Sequence, residues 1–520
     1  MRNQFYTLRH LLIYSLRFRW VFCQLQTLRY CLPPSVRRVL AELPETLDET
    51  YERILSEIPK SNRVHAHRLL QCLTAAVRPL RVEELAEVLA IDFDTTEGIP
   101  KLKEDLRWED QEQAVLSACS SLIAVVGDEW FRVVHFSHFS VKEFLTSDRL
   151  ATSKVDGSRY HHILLEPAHT IMAQACLGVL LRLDYDIDNE KIMGFPLAGY
   201  AAYNLGDHAE FENVLSHIRD GVDYLLDADK PHLAAWIWVR GRHEEHPPRL
   251  SPVPLYYMAD FGHLYLVHYL ISKRPEDVDA ISEDGTPLHA ASRKGHVKIL
   301  RMLLGHCVNV NARNFIDQTP LHLAVDLVSL EVVRMLIEHN ADINARDDKG
   351  RTPLHRFLSL PYLENHFDLA SFLIGHGADV DTKDNHYSTP LHDASYYGGV
   401  ETTQLLLEHG ANIHARNEDG QTPLHWTLVD AGDSVLDRVF DAARFLLAHG
   451  ADVDTLDNNH STPLHEAASC GGVKAAQLLL EHGANVHIRN KDGKSPFQVA
   501  STDDHEELAQ LLSEHLQCGQ

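Results

Sequence analysis

Apolar residues along this chain fall into two spacings, helical and strand-like. Leu47, Tyr51, Ile54, Leu55 and Ile58 share one helical face, and Thr46 to Glu49 before them form a capping box. The pattern predicts further helices over His67–Ala76, Val82–Leu89 and Gln113–Ser121. An apolar strand, Leu122–Val126, follows; Gly127-Asp128 turns it, and Phe131–Phe136 returns. Beyond residue 250 the helical spacing becomes periodic. A proline within a Thr-Pro-Leu-His motif or its degenerate form recurs at 254, 287, 320, 353, 390, 423, 463 and 496, with gaps of 33, 33, 33, 37, 33, 40 and 33 residues.

Each part of the motif has a physical role. Thr286 suits a helix N-cap and Pro287 the first turn. Leu288 with the small Ala291 and Ser292 admits a second helix, which carries Ile299, Leu300, Met302, Leu303 and Leu304. A left-handed cap should end that helix. Gly377, Gly410, Gly450 and Gly483 occupy the position, Asn340 substitutes, and Cys307 is the awkward occupant. In the turn leading to the next motif Gly350, Gly420 and Gly493 are at ease, while Asp284, Asp317, Tyr387 and His460 stand where glycine is expected. A period near 33 with this motif is the signature of ankyrin repeats, whose stacking closes a core that no single repeat can bury. The last repeat reads as a polar cap through Glu506, Glu507, Gln510 and Glu514, and the first, at Pro254, as the repeat that joins the array to the preceding segment. Two insertions, near Leu360–His366 and Asp430–Val439, fall between the helices of a repeat. The stretch Gly377–Asn385 recurs as Gly450–Asn458, 73 residues on, as if a pair of repeats had been duplicated.

Composition narrows the function. The net charge of −26 argues against a nucleic-acid-binding body. Eight scattered Cys without a CxxC pair read as reduced thiols in a cytoplasmic or nuclear compartment. Residues 1–41 hold seven Arg and no Asp or Glu, a composition compatible with an amphipathic helix from a larger domain and, more weakly, with a transit peptide. No segment approaches a membrane span.

The order of three helices and a hairpin is that of a winged helix. Leu122-Ile-Ala-Val-Val-Gly-Asp-Glu129 also has the look of an apolar strand with a Mg²⁺-binding acidic pair. That reading needs a phosphate loop upstream, and none exists in this sequence. Four longer stretches occur in order: Arg19-Trp-Val-Phe-Cys-Gln-Leu-Gln-Thr-Leu-Arg29, Leu43-Pro-Glu-Thr-Leu-Asp-Glu-Thr-Tyr-Glu-Arg-Ile-Leu55, Arg78-Pro-Leu-Arg-Val-Glu-Glu-Leu-Ala-Glu-Val-Leu89 and His138-Phe-Ser-Val-Lys-Glu-Phe-Leu145. Together with the repeats they resemble fungal NACHT–ankyrin proteins, STAND-class signalling ATPases similar to innate immune receptors. The resemblance implies an NTPase core before Arg19; this sequence lacks it, so ATPase activity is not carried over. The family's winged-helix MHD motif implies a nucleotide-sensing role for His138, against a local role at a strand–helix junction. Pro196–Tyr203 with Asp207 and His208 resemble the family's connector and read as packing.

The expected fold is mostly α: a remnant edge helix at 1–33, a helical and winged-helix region at 34–155, a helical connector at 156–250, and an ankyrin solenoid at 251–517. The expected function is non-catalytic. The array would bind a protein partner and the helical half would couple that binding to an NTPase domain or chain. The alternative is a truncated gene model of a full NACHT ATPase receptor. Neither a cofactor nor a metal is expected: His243-Glu-Glu-His246 lacks the HExxH spacing, and the motif histidines should bond within their own repeat. Partner-binding candidates on the inner face are Arg293, Lys294, Leu323, Asp326, Arg356, Asp393, Tyr396, Tyr397, Trp426 and Glu466, with Tyr396, Tyr397 and Trp426 forming one aromatic patch. The turn tips Phe315, His386, Tyr387 and Asn458 are secondary. No nucleic-acid or membrane partner is expected.

Overall fold

The computed structural model describes residues 46–95, 98–119, 122–128, 131–155, 157–211, 213–241, 247, 253–282, 284–360, 366–428 and 436–518. The N-terminal helix expected before residue 34, most of the loop at 242–248, and the insertions at 361–365 and 429–435 lie outside them. By packing, the described chain forms two units. One runs to Met258 and includes His263–Ser272; the other takes Ala259–Gly262 and everything from Lys273.

In the first unit, Leu47–Ser56 starts as its sequence dictates. Thr46 Oγ1 accepts the Glu49 N–H at 3.1 Å, and the Glu49 carboxylate accepts the Thr46 N–H at 3.2 Å. Its apolar face buries Tyr51 and Leu55. Helices Arg63–Ala75, Val82–Val88 and Gln111–Cys119 precede an antiparallel hairpin, β4 (Ile123–Val126) and β5 (Val133–Phe136), with Val125 opposite Val134. A two-residue strand, β1 (Leu80–Arg81), pairs with the free edge of β5, giving the order β1-β5-β4. A second small hairpin pairs β2 (Ile91–Asp92) with β3 (Lys101–Leu102). These short strands carry no period-2 signal and were not legible in the sequence.

The winged-helix order is therefore present, and the hairpin turn explains its acidic residue. Asp128 accepts the Phe131 N–H at 2.9 Å, and a Cβ on Gly127 (φ +129°) would sit 2.0 Å from the Phe131 carbonyl oxygen. Behind the winged helix, Leu165–Leu180 forms the axis on which Arg63–Ala75, Ala198–Ala209 and Val214–Leu225 pack, with Met172, Cys176, Leu177 and Leu180 fully buried. Tyr200 and His208, from the stretch expected to pack, are both buried. Buried Tyr200 bonds His208 Nε2 at 2.9 Å and accepts the Val77 N–H at 3.1 Å, while His208 Nδ1 meets His169 Nδ1 at 3.0 Å.

The second unit is an array of helix pairs. Its inner helices begin at Pro287, Pro320, Pro353, Pro390, Pro423, Pro463 and Pro496, and each is followed by an outer helix, from Val297–Leu304 to Glu506–Cys518. The motif leucines, Leu288, Leu321, Leu354, Leu391, Leu424 and Leu464, are at most 1% exposed, each contributing about 1.5–3 kcal/mol by burial. The left-handed positions fall largely where expected: Gly377, Gly410, Gly450, Gly483, Asn340 and Cys307 after outer helices, and Asp317, Tyr387 and His460 in the turns. Asp284 is the exception. That turn is one residue shorter before its threonine, so Gly285 takes the positive φ instead. In the terminal repeat Leu508 and Leu512 are buried while Glu506, Glu507, Gln510 and Glu514 face outward, as a solenoid cap requires.

The six motif histidines bond beyond their own repeat. In each, Nδ1 accepts the N–H of the capping threonine, and Nε2–H therefore donates to a carbonyl of the next repeat. The pairs are His289 to Gln318, His322 to Arg351, His355 to Ser388, His392 to Gln421, His425 to Ser461 and His465 to Lys494, at 2.9–3.3 Å. Burial pushes the imidazoles of His322, His355, His392 and His425 down to about 4, so they are neutral at pH 7. A second ladder runs through the turn tips, where Asp348, Asn385, Glu418, Asn458 and Lys491 each donate a backbone N–H to the preceding tip.

Candidate functional site

The inner helices line a groove on the array, about 440 Å³ in volume, within the size range of ligand sites. It lies across three consecutive motifs. Tyr396 and Tyr397 come from the Pro390 repeat, Trp426 from the Pro423 repeat and Glu466 from the Pro463 repeat; Asp384, His386, Glu418 and Asp419 rise from the turn tips. Local structure explains the presentation of the tyrosines. The helix that starts at Pro390 becomes π-helical over Ala394–Gly398, and the positive φ that follows falls on Gly399 (+79°). In the aligned repeats it falls one position earlier, on Gly295 and Gly471 (both +72°). A π-bulge widens the helix at that turn, a distortion often found at functional sites. The two tyrosine rings meet edge to face with centroids 4.5 Å apart, and Tyr397 stays exposed.

The groove floor is pinned by side-chain amides. Asn417 Oδ1 accepts the N–H groups of Asp419 and Gln421, at 3.0 and 2.8 Å. Gln421 Oε1 then accepts the Trp426 indole N–H at 3.2 Å, and the indole meets the His392 ring edge-on. Glu466 is half-buried; burial, then the charge of Asp457, raises its carboxyl, and a hydrogen bond from Gln421 partly offsets this. At the rim His386 Nδ1 lies 2.5 Å from the Glu418 carboxylate, which raises the imidazole above its ordinary value.

Tyr396, Tyr397, Trp426 and Glu466 are thus brought together. The turn-tip candidate His386 joins them at the rim, and the remaining sequence candidates do not line this groove. Arg293 bonds Asp260 at 2.8 Å, and Arg356 holds Asp326 through two hydrogen bonds, at 2.8 and 2.6 Å. Asp393 is buried, and burial followed by the nearby Asp384 pushes its carboxyl well up. Leu323, expected on the open face, is buried because an apolar side chain there joins the inter-helix packing. Lys294 is exposed. Phe315 and Tyr387 are exposed tips, and Asn458 supports its neighbour by donating to the Glu418 carbonyl at 2.8 Å. Sequence reasoning missed Asp384, Glu418, Asp419 and Gln421 as lining residues, since nothing in their spacing shows that the tips lean over the inner helices.

In the winged helix, His138 caps Phe139–Leu145. Its Nδ1 accepts the Ser140 N–H at 3.3 Å and lies 2.7 Å from the Ser140 hydroxyl, which is 2.8 Å from the Tyr51 hydroxyl. Among the described residues no group of three or more His, Cys, Asp or Glu is arranged to hold a metal. Burial pushes the Cys72 thiol up to about 12, which makes it a poor nucleophile. No described helix is long and apolar enough to cross a membrane.

Known proteins align with both units. Residues 255–519 match the family described as ankyrin repeats (3 copies), in overlapping segments 255–347, 343–417, 360–434, 415–490 and 434–519. Residues 51–155 match the family described as GPI inositol-deacylase, winged helix domain. A curated relative, the azaphilone pigments biosynthesis cluster protein L of Monascus ruber, is 29% identical over 296 residues, covering 52% of this chain and 61% of the relative. The chain therefore spans less than two thirds of that relative's length.

Proposed function

We propose, from the premise that this chain belongs to the ankyrin-repeat family, that it is a non-catalytic interaction protein whose array captures a protein partner in the groove of Tyr396, Tyr397, Trp426 and Glu466. The observation that carries this reading is the convergence of three aromatic side chains from two repeats on one open, pinned surface. Aromatic residues dominate the energetics of protein interfaces, and here backbone and amide contacts already fix the indole, so little ordering remains for binding to offset. Arg293, Lys294 and Arg356 are proposed as the wider margin of the contact; Asp393, expected there from the sequence, is buried and is left out of it. The winged-helix region would couple capture to an NTPase domain or chain, a role supported by the NACHT–ankyrin resemblance and by the winged-helix match at 51–155. In that setting His138 would sense the nucleotide. We place the protein in the cytoplasm.

The test is capture from an extract of the source cells by the chain and by Tyr396→Ala with Trp426→Ala, with circular dichroism to confirm an intact fold. Loss of the captured protein is expected; undiminished capture by the folded double variant would remove the groove from the account. The rival reading, a signalling ATPase with an upstream NTPase core, is favoured by the four family stretches. It is decided by mapping the 5′ end of the native transcript and finding, or not finding, an in-frame phosphate loop.

A further inference from the structure

We propose that the groove is built for arginine: it takes the guanidinium of an extended basic segment presented by the partner. The inference rests on the protein-binding reading above and adds what the partner must carry. Charge complementarity is the first argument. Asp384, Glu418, Asp419 and Glu466 all line the groove, and the one basic group among its lining residues, His386, is already paired with Glu418. No lysine or arginine lines it. The second argument is the aromatic content. The faces of Trp426, Tyr396 and Tyr397 are the electron-rich surfaces that attract a cation, most strongly where water is partly excluded.

These features fit guanidinium better than ammonium. A planar fork can stack on a ring while donating two parallel hydrogen bonds to a carboxylate, whereas ammonium acts as a strongly hydrated point charge. Glu466, half-buried beside the indole-pinning Gln421, is the carboxylate placed for that pairing. Its environment is incomplete without a cation: burial and Asp457 both disfavour its charge, and an arriving guanidinium reverses that. An acidic segment would meet repulsion from these carboxylates, and a purely apolar one would bury Glu466 without a cation to balance its charge.

The experiment is fluorescence anisotropy of the full chain with a labelled Gly-Ser-Arg-Gly-Ser-Arg-Gly-Ser peptide, and with the same peptide carrying citrulline for arginine. Citrulline keeps the shape and removes the charge. Saturable binding to the arginine peptide is expected, weakened about tenfold or more by citrulline, by Glu466→Gln and by Trp426→Leu. Glu481→Gln, which removes the same charge from an exposed site outside the groove, should leave affinity unchanged. Thermal melts accompany each variant, and the near-isosteric Glu466→Gln keeps the test decisive if Trp426→Leu loses its fold. Equal binding of the citrulline peptide, equal weakening by Glu481→Gln, or no saturable binding up to about 1 mM would overturn the inference. A natural partner captured through the groove by a segment without arginine would overturn it too, while leaving the protein-binding reading in place. Capture independent of the groove would overturn both.

Discussion

Lowering pH should weaken the array through its motif histidines, and His355 is the place to measure it. Its Nδ1 accepts the Thr352 N–H and its Nε2–H donates to the Ser388 carbonyl of the next repeat. Protonation would put a proton where the Thr352 N–H already points and a charge in a fully buried site. Burial accordingly pushes the imidazole down from 6.5 to about 4. The folded state thus binds fewer protons than the unfolded state between those values. The stability this neutral ring contributes is complete above about pH 6.5 and is lost as pH falls towards 4. The fall from 6.5 to about 4 corresponds to about 3 kcal/mol in full, about 2 kcal/mol of it lost by pH 5, with a slope of at most about 1 kcal/mol per pH unit. His322, His392 and His425 carry similar shifts. Several kcal/mol should therefore vanish between pH 6.5 and 5, a large part of a typical folding free energy of about 5–15 kcal/mol. The assay is urea denaturation of the parent and His355→Gln at a series of pH values. At pH 7 the variant should be less stable by about 1–3 kcal/mol through its lost buried bonds. Its slope in the acid window should be flatter than the parent's by about 1 kcal/mol per pH unit. Parallel slopes would refute the reasoning, because they would mean that His355 titrates alike folded and unfolded.

Four other outcomes follow from the packing of single residues. His161 is fully buried with neither ring nitrogen bonded among the described residues, and burial pushes it down to about 4; His161→Phe should leave stability at pH 7 unchanged or raise it by up to about 2 kcal/mol in a thermal melt. Gly127→Ala should destabilise the winged helix by at least about 2 kcal/mol, since the new methyl meets the Phe131 carbonyl in a left-handed turn. The Arg356–Asp326 pair is part-exposed, and a double-mutant cycle should give a coupling below about 1 kcal/mol that shrinks in salt. Leu354→Ala, in a fully buried motif position, should cost about 2–5 kcal/mol in urea denaturation.

The repeats were legible because each residue of Thr-Pro-Leu-His has one job, and the structure assigns Thr352, Pro353 and Leu354 the jobs read from their chemistry. The winged-helix hairpin was legible because the apolar run from Leu122 ends at Gly127-Asp128. The cross-repeat bonds of the histidines were not, since a motif shows which groups are close in sequence and the acceptors at Gln318 or Ser388 lie 29 and 33 residues away. The fate of Arg293 and Arg356 was hidden for the same reason: their carboxylate partners, Asp260 and Asp326, stand in the preceding repeat. The tyrosine pair and Trp426 were chosen from their place after the motif histidine. The π-helical turn that presents Tyr396 and Tyr397 left no mark in the spacing, because the aligned repeats have the same length there.

The most direct test of the account is site-specific photo-crosslinking. A benzoylphenylalanine would replace Tyr397 in the groove or, as a control, exposed Met193 of the first unit. On irradiation in an extract of the source cells, the account predicts a discrete protein adduct from position 397, absent from position 193 and suppressed by Glu466→Gln. The same adducts from both positions, or none from 397, would contradict the claim that this groove is where the protein meets its partner.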